Sequence, residues 1–117
     1  MTERADFAAT IRGRGTARHG SRLLVVHTRS ADPSRTDAWA QHPPRVGLVV
    51  SKAVGNAVTR TRVKRRLRAQ MSALVDGLPA GTDVVIRANP ASATATSAEL
   101  GGALRRCLRQ VLVKEGA

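Results

Sequence analysis

The sequence predicts an α/β sandwich, a sheet with helices packed against it, in one domain of 117 residues. Three observations lead there. Runs rich in β-branched residues at Arg22–Thr28, Val46–Val50 and Asp83–Ala88 have the composition of strands. Longer segments repeat apolar residues every three to four positions, the period of a helix with one buried side. The elements follow one another as helix, strands, helix, strand, helix, which suits a two-layer packing around one modest core.

Each element has its own signal. Ala5–Arg12 reads as a short helix, because Phe7 and Ile11 stand four apart and share a face. The Gly/Arg-rich stretch Gly13–Gly20 breaks it, and the strand at Arg22–Thr28 follows. Ser30–Pro44, with Pro33, Pro43 and Pro44 among polar residues, is a loop expected to be mobile. After the strand at Val46–Val50 the chain turns through Gly55-Asn56, and Asn56 is placed to cap a helix running to about Asp76, with Gly77 as its stop. In that helix Val63, Leu67, Met71 and Leu74 form the core-facing stripe. The strand Asp83–Ala88 is closed by Pro90. Thr96 or Ser97, with Glu99 in the first turn, caps a last helix that buries Leu100, Leu104, Leu108 and Leu112 and turns Arg105, Arg106 and Arg109 outward. Phe7 and Trp39 are the only aromatic residues, so the core is built from Val, Leu, Ile and Ala.

Charge points to the partner. Twenty Lys and Arg against eight Asp and Glu give a net charge of +12, and 17 of the 20 cations are Arg, whose rigid fork of donors matches phosphate geometry. Ser51–Arg68 alone holds seven of them (Lys52, Arg60, Arg62, Lys64, Arg65, Arg66, Arg68), and no acid occurs between Asp37 and Asp76. A solvated surface helix ordinarily mixes signs in i,i+4 pairs. Here like charges repel, so a polyanion is needed to neutralise them. With two aromatics, base stacking on aromatic platforms is a minor source of affinity, and phosphate contacts carry the binding.

Other classes fall away. The single cysteine, Cys107, leaves no intrachain disulfide and no cysteine-based zinc site, and its place between Leu104 and Leu108 reads as a small buried apolar residue. The eight acids are scattered, and His19, His27 and His42 have no motif spacing, so a nuclease active site made of protein is not expected. No apolar run reaches the ~18 residues of a membrane span, and the N-terminus has no signal-like segment. The expectation is a cytoplasmic protein with no membrane partner. An RNA-binding protein of the ribosome or its assembly, or a DNA-binding nucleoid protein, would share the charge pattern.

The order of residues in the basic segment is more specific than its charge. Gly55-Asn56-Ala57-Val58, then Arg60-Thr61-Arg62-Val63-Lys64-Arg65-Arg66-Leu67-Arg68, preceded by Arg45-Val-Gly-Leu-Val-Val-Ser-Lys52, resembles the signature of the bacterial ribonuclease P protein subunit. Asp6-Phe7 with Ile11-Arg12-Gly13, and Asp83-Val-Val-Ile-Arg-Ala88, resemble that family's first helix end and last strand, so the resemblance spans about Ala5 to Leu112. Two positions depart from the pattern: Thr61 stands where the family has Asn, and Ala53 where it has a second Lys.

The resemblance implies a mostly antiparallel sheet of about four strands with three helices, in the order α-β-β-β-α-β-α and with a left-handed βαβ crossover. It implies a subunit that assists a catalytic RNA in removing the 5′ leader of precursor tRNA by hydrolysing one phosphodiester. The active site and its Mg2+ ions lie on the RNA, with no catalytic residue and no metal on the protein. Carried over by position, Lys52, Asn56, Arg60, Arg62, Lys64, Arg65 and Arg68 contact RNA, and Phe7, Ile11, Val25 and His27 line a cleft for the single-stranded leader. The implied partners are the ribonuclease P RNA and the precursor tRNA leader, not DNA.

Overall fold

A computed structural model describes residues 16–29, 43–78 and 80–116. The helix expected at 5–12, with Phe7 and Ile11, and positions 30–42 of the expected loop lie outside the described residues. Strands β1 (Thr16–Gly20) and β2 (Leu24–Arg29) form an antiparallel hairpin. Its turn is closed by Ser21: the Ser21 N–H donates to the Leu24 carbonyl at 2.8 Å, and the Ser21 hydroxyl oxygen accepts from the Leu23 and Leu24 N–H groups. Strand β3 (Arg45–Val49), helix α1 (Ala57–Leu74), strand β4 (Asp83–Ala88) and helix α2 (Ser97–Gly116) follow. The sheet order is β1-β2-β4-β3. β2 and β4 run antiparallel, whereas β3 and β4 run parallel and are joined by α1 as a crossover.

β1 lies in the Gly/Arg-rich stretch whose composition reads as a break. Thr-Ala-Arg-His-Gly has little strand character of its own, and pairing with β2 supplies what local propensity does not. The second strand accordingly begins two residues later than its composition suggests, at Leu24, and Arg22 becomes an exposed turn residue.

Both helices pack on one face of the sheet. Leu24, Val26, Val84, Ile86 and Ala88 meet Val63, Leu67 and Met71 of α1 and Leu100, Ala103, Leu104, Cys107, Leu108 and Val111 of α2 in a single aliphatic core. The stripe expected on α1 is buried at its first three positions, and Leu74 is half-buried where the helix gives way to a 3-10 turn at Val75–Gly77. Cys107 is buried as expected, and burial pushes its thiol above the usual value.

The caps are those the sequence predicts. The Asn56 side-chain oxygen accepts from the Thr59 N–H at 2.9 Å. At α2, the Glu99 carboxylate accepts from the Thr96 N–H at 2.9 Å and the Thr96 hydroxyl oxygen accepts from the Glu99 N–H at 3.1 Å, a reciprocal capping box. These bonds hold the Glu99 carboxyl below its usual pKa.

Candidate nucleic-acid interface

The turn before α1 aims the basic segment. Val54 is buried and anchors Ser51–Gly55, whose N–H groups at Val54 and Gly55 donate back to the Ser51 and Lys52 carbonyls. Gly55 has φ +156°, and a Cβ there would stand 2.9 Å from the Thr59 methyl, so only glycine fits directly before the cap. Lys52 and Asn56 are left exposed at the helix N-terminus.

α1 does not present one uniform basic face. Its 3.6-residue period divides the charges among two flanks and a crest. On the flank toward α2, Arg62 donates to the Ala93 carbonyl at 3.1 Å, Arg66 to the Ala95 carbonyl at 2.6 Å, and Gln70 to the Ser97 hydroxyl at 3.0 Å. These three side chains tie α1 to the 3-10 turn Pro90–Thr94 and to the start of α2. On the crest stand Val58, Thr61 and Arg65, all exposed. The flank toward β3 carries Arg60, Lys64 and Arg68, with no acid in the helix to pair them. Arg60 and Arg62 each hold a buried Nε with no hydrogen-bond partner among the described residues.

Of the residues predicted to contact RNA, Lys52, Asn56, Arg60, Lys64, Arg65 and Arg68 therefore lie along one continuous side, from the helix N-terminus over its crest and β3 flank. Arg62 stands apart, on the opposite flank and engaged with the protein's own backbone.

The sheet face away from the helices holds the second group. Strand alternation and register place Arg18, Val25, His27, Arg29, Arg45, Asp83, Val85 and Arg87 there together. Asp83, 1% exposed, is held by Arg45 through two bonds, Nε to Oδ1 at 2.8 Å and Nη2 to Oδ2 at 3.0 Å. Val25 is half-buried and His27 is 8% exposed. Burial, then the nearby Arg18 and Arg87, pushes the His27 imidazole below its usual pKa. Phe7 and Ile11, the other two residues assigned to the leader cleft, lie outside the described residues. Arg18, Arg29 and Arg87 are cations of this face that the sequence reading passed over. The signal was present in the alternation, since Arg29 is two residues from His27, and Arg87 stands between the buried Ile86 and Ala88.

Among the described residues no three His, Cys, Asp or Glu side chains come together as a metal-ligand group. No described helix is long and apolar enough to cross a membrane.

Known proteins resemble this chain in sequence and in fold. The family model described as Ribonuclease P matches residues 1–112. The ribonuclease P protein component of Nocardia farcinica is 48% identical over 99% of this chain and 82% of its own length. That of Beutenbergia cavernae is 57% identical over 86% of this chain and 76% of its own. In fold, the RNase P protein of Staphylococcus aureus superposes with a TM-score of 0.74 at 24% identity, covering 93% of this chain and 91% of that one. The Thermotoga maritima protein does so at 0.72 and 19%, covering 95% of each. The ribosomal alternative finds no support among these relatives. The chain belongs to the ribonuclease P protein component family.

Proposed function

We propose that this subunit of ribonuclease P holds the catalytic RNA against the N-terminus, crest and β3 flank of α1, and receives the single-stranded 5′ leader of precursor tRNA on the outer face of the sheet. Lys52, Asn56, Arg60, Lys64, Arg65 and Arg68 take the first role, with Arg62 supporting it from the far flank. Val25 and His27, with Phe7 and Ile11, take the second, and Arg18, Arg29 and Arg87 supply cations beside the leader.

The observation that carries this reading is the charge balance of α1. Six cations stand on 18 residues without an acid, and among the described residues only Arg62 and Arg66 spend hydrogen bonds on the protein. Such a helix is under self-repulsion that a phosphate backbone relieves, with release of the counterions condensed on the RNA. Positive charge brought to an RNA active site offsets RNA–RNA repulsion, so the RNA holds its magnesium at lower concentration. Bond cleavage stays with the RNA, and no step runs through a metal on the protein.

Reconstitution tests the proposal. The protein is mixed with a bacterial ribonuclease P RNA and a precursor tRNA at low magnesium. Cleavage is stimulated, and the complex binds precursor more tightly than mature tRNA. Equal affinity for the two would remove the leader from the reading, and an absence of stimulation would remove the whole of it.

A further inference from the structure

Between the edge of the sheet and the basic helix lies a groove of about 490 Å3. Its floor is apolar: Val46 and Leu48 of β3, with Met71 and Val75. One wall is the β3 backbone around Gly47, which among the described residues pairs with β4 alone. The rim is Lys64, Arg68 and Ser72, successive turns of one α1 stripe. Val46, Leu48 and Val75 are only partly buried although they pack against the core, so the groove leaves apolar surface open to solvent beneath two cations.

We propose that this groove takes one unstacked nucleotide of the catalytic RNA, its base laid on the aliphatic floor and its flanking phosphates held by Lys64 and Arg68. The inference rests on the reading of α1 as the RNA-binding helix and gives two of its cations a specific task. The volume lies in the range of about 300–1,000 Å3 typical of ligand sites. Apolar floor, a strand edge unpaired among the described residues, and two cations match the three parts of an extruded nucleotide. Its base presents an apolar face and a hydrogen-bonding edge, and phosphates lie on either side. A strand edge offers alternating N–H and C=O groups to such a base edge.

Placement selects the RNA. The groove opens on the helix side of β3 and continues the cationic flank of α1. The outer sheet face, proposed for the leader, lies on the other side of the same strands. An acidic peptide added as a fifth strand at β3 would use the edge but leave the pocket beneath Lys64 unfilled.

Filling the groove without touching its charge tests the idea. Ser72 is exposed on a helix, so Ser72→Leu folds and intrudes on the floor, while Ser72→Ala serves as control. Binding to ribonuclease P RNA is measured across a salt series for wild type, both Ser72 variants, and Lys64→Ala with Arg68→Ala. Ser72→Leu weakens binding about five- to tenfold, the lower range for one lost base contact, with the salt slope unchanged. The double alanine variant lowers the slope. A benzophenone carried on Ser72→Cys, selective because Cys107 is buried, crosslinks to an unpaired base of the catalytic RNA without precursor tRNA present. Wild-type affinity for Ser72→Leu, crosslinks confined to duplex backbone, or crosslinks that need the leader would each overturn the inference and leave the RNA-binding helix standing. If wild type fails to bind the RNA at all, the broader reading fails instead.

Discussion

Arg65 and Arg66 are neighbours in sequence with the same side chain, and the structure gives them opposite consequences. Arg66 donates to the Ala95 carbonyl at 2.6 Å, and Ala95 is 4% exposed. Arg66→Ala leaves that carbonyl without its charged donor. A hydrogen bond to a charged group contributes about 1.5–3 kcal/mol, and because Arg66 is half-buried rather than enclosed, about 1–2 kcal/mol is the better figure. For a chain of this size that lowers Tm by about 4–8 °C. Arg65 stands on the crest with no hydrogen bond or ion pair among the described residues, so Arg65→Ala changes stability by less than about 0.5 kcal/mol. Removing it even relieves repulsion with Arg62 and Arg68, three residues away on either side. The order reverses for RNA. Arg65→Ala removes one phosphate contact and reduces the slope of log affinity against log salt by about 0.7–0.9, while Arg66→Ala changes that slope less than it changes Tm. Thermal unfolding and a filter-binding salt series on both variants give the four numbers. Equal losses of Tm, or a larger loss of salt slope in Arg66→Ala than in Arg65→Ala, would refute the division of α1 into a clamped flank and an RNA-facing side.

Two further outcomes follow from other parts of the molecule. His27 has a lowered pKa in the folded chain, so its neutral form is favoured by folding: stability is full above the unfolded value near 6.5 and declines as pH falls from there through the lowered value. Urea midpoints at pH 7.5 and 5.5 show the decline and His27→Gln flattens it, whereas Glu99, whose lowered pKa costs stability only as pH falls below about 4.5, does not act in that window. Asn56→Asp keeps the cap on the Thr59 N–H and places a negative charge at a helix N-terminus, so stability is held or gained by about 0.5 kcal/mol while RNA affinity falls. A variant that keeps both stability and affinity would take Asn56 out of the RNA contact and leave it a cap alone.

What the sequence made legible, and what it did not, divides along one physical line. Features carried by local chemistry were readable in the chain: the Asn56 cap, the Thr96–Glu99 box, the Val63-Leu67-Met71 stripe and the aliphatic core all stand where spacing and residue type put them. β1 was not readable, because Thr16–Gly20 becomes a strand only through its pairing with β2. The same holds for the site. Charge density makes α1 the expected polyanion-binding element, but a run of cations in sequence carries no information about which of them the protein itself will use. That is decided by the carbonyls of Ala93 and Ala95, some thirty residues downstream, which claim Arg62 and Arg66. Arg60-Thr61-Arg62 is thus not a single cationic unit. Its two arginines leave the helix on opposite flanks, one on the side toward β3 and one braced against the fold, with Thr61 on the crest between them. Thr61, where the resembled pattern has Asn, is exposed and touches neither brace, so under the proposed RNA contact its effect is expected in binding and not in folding.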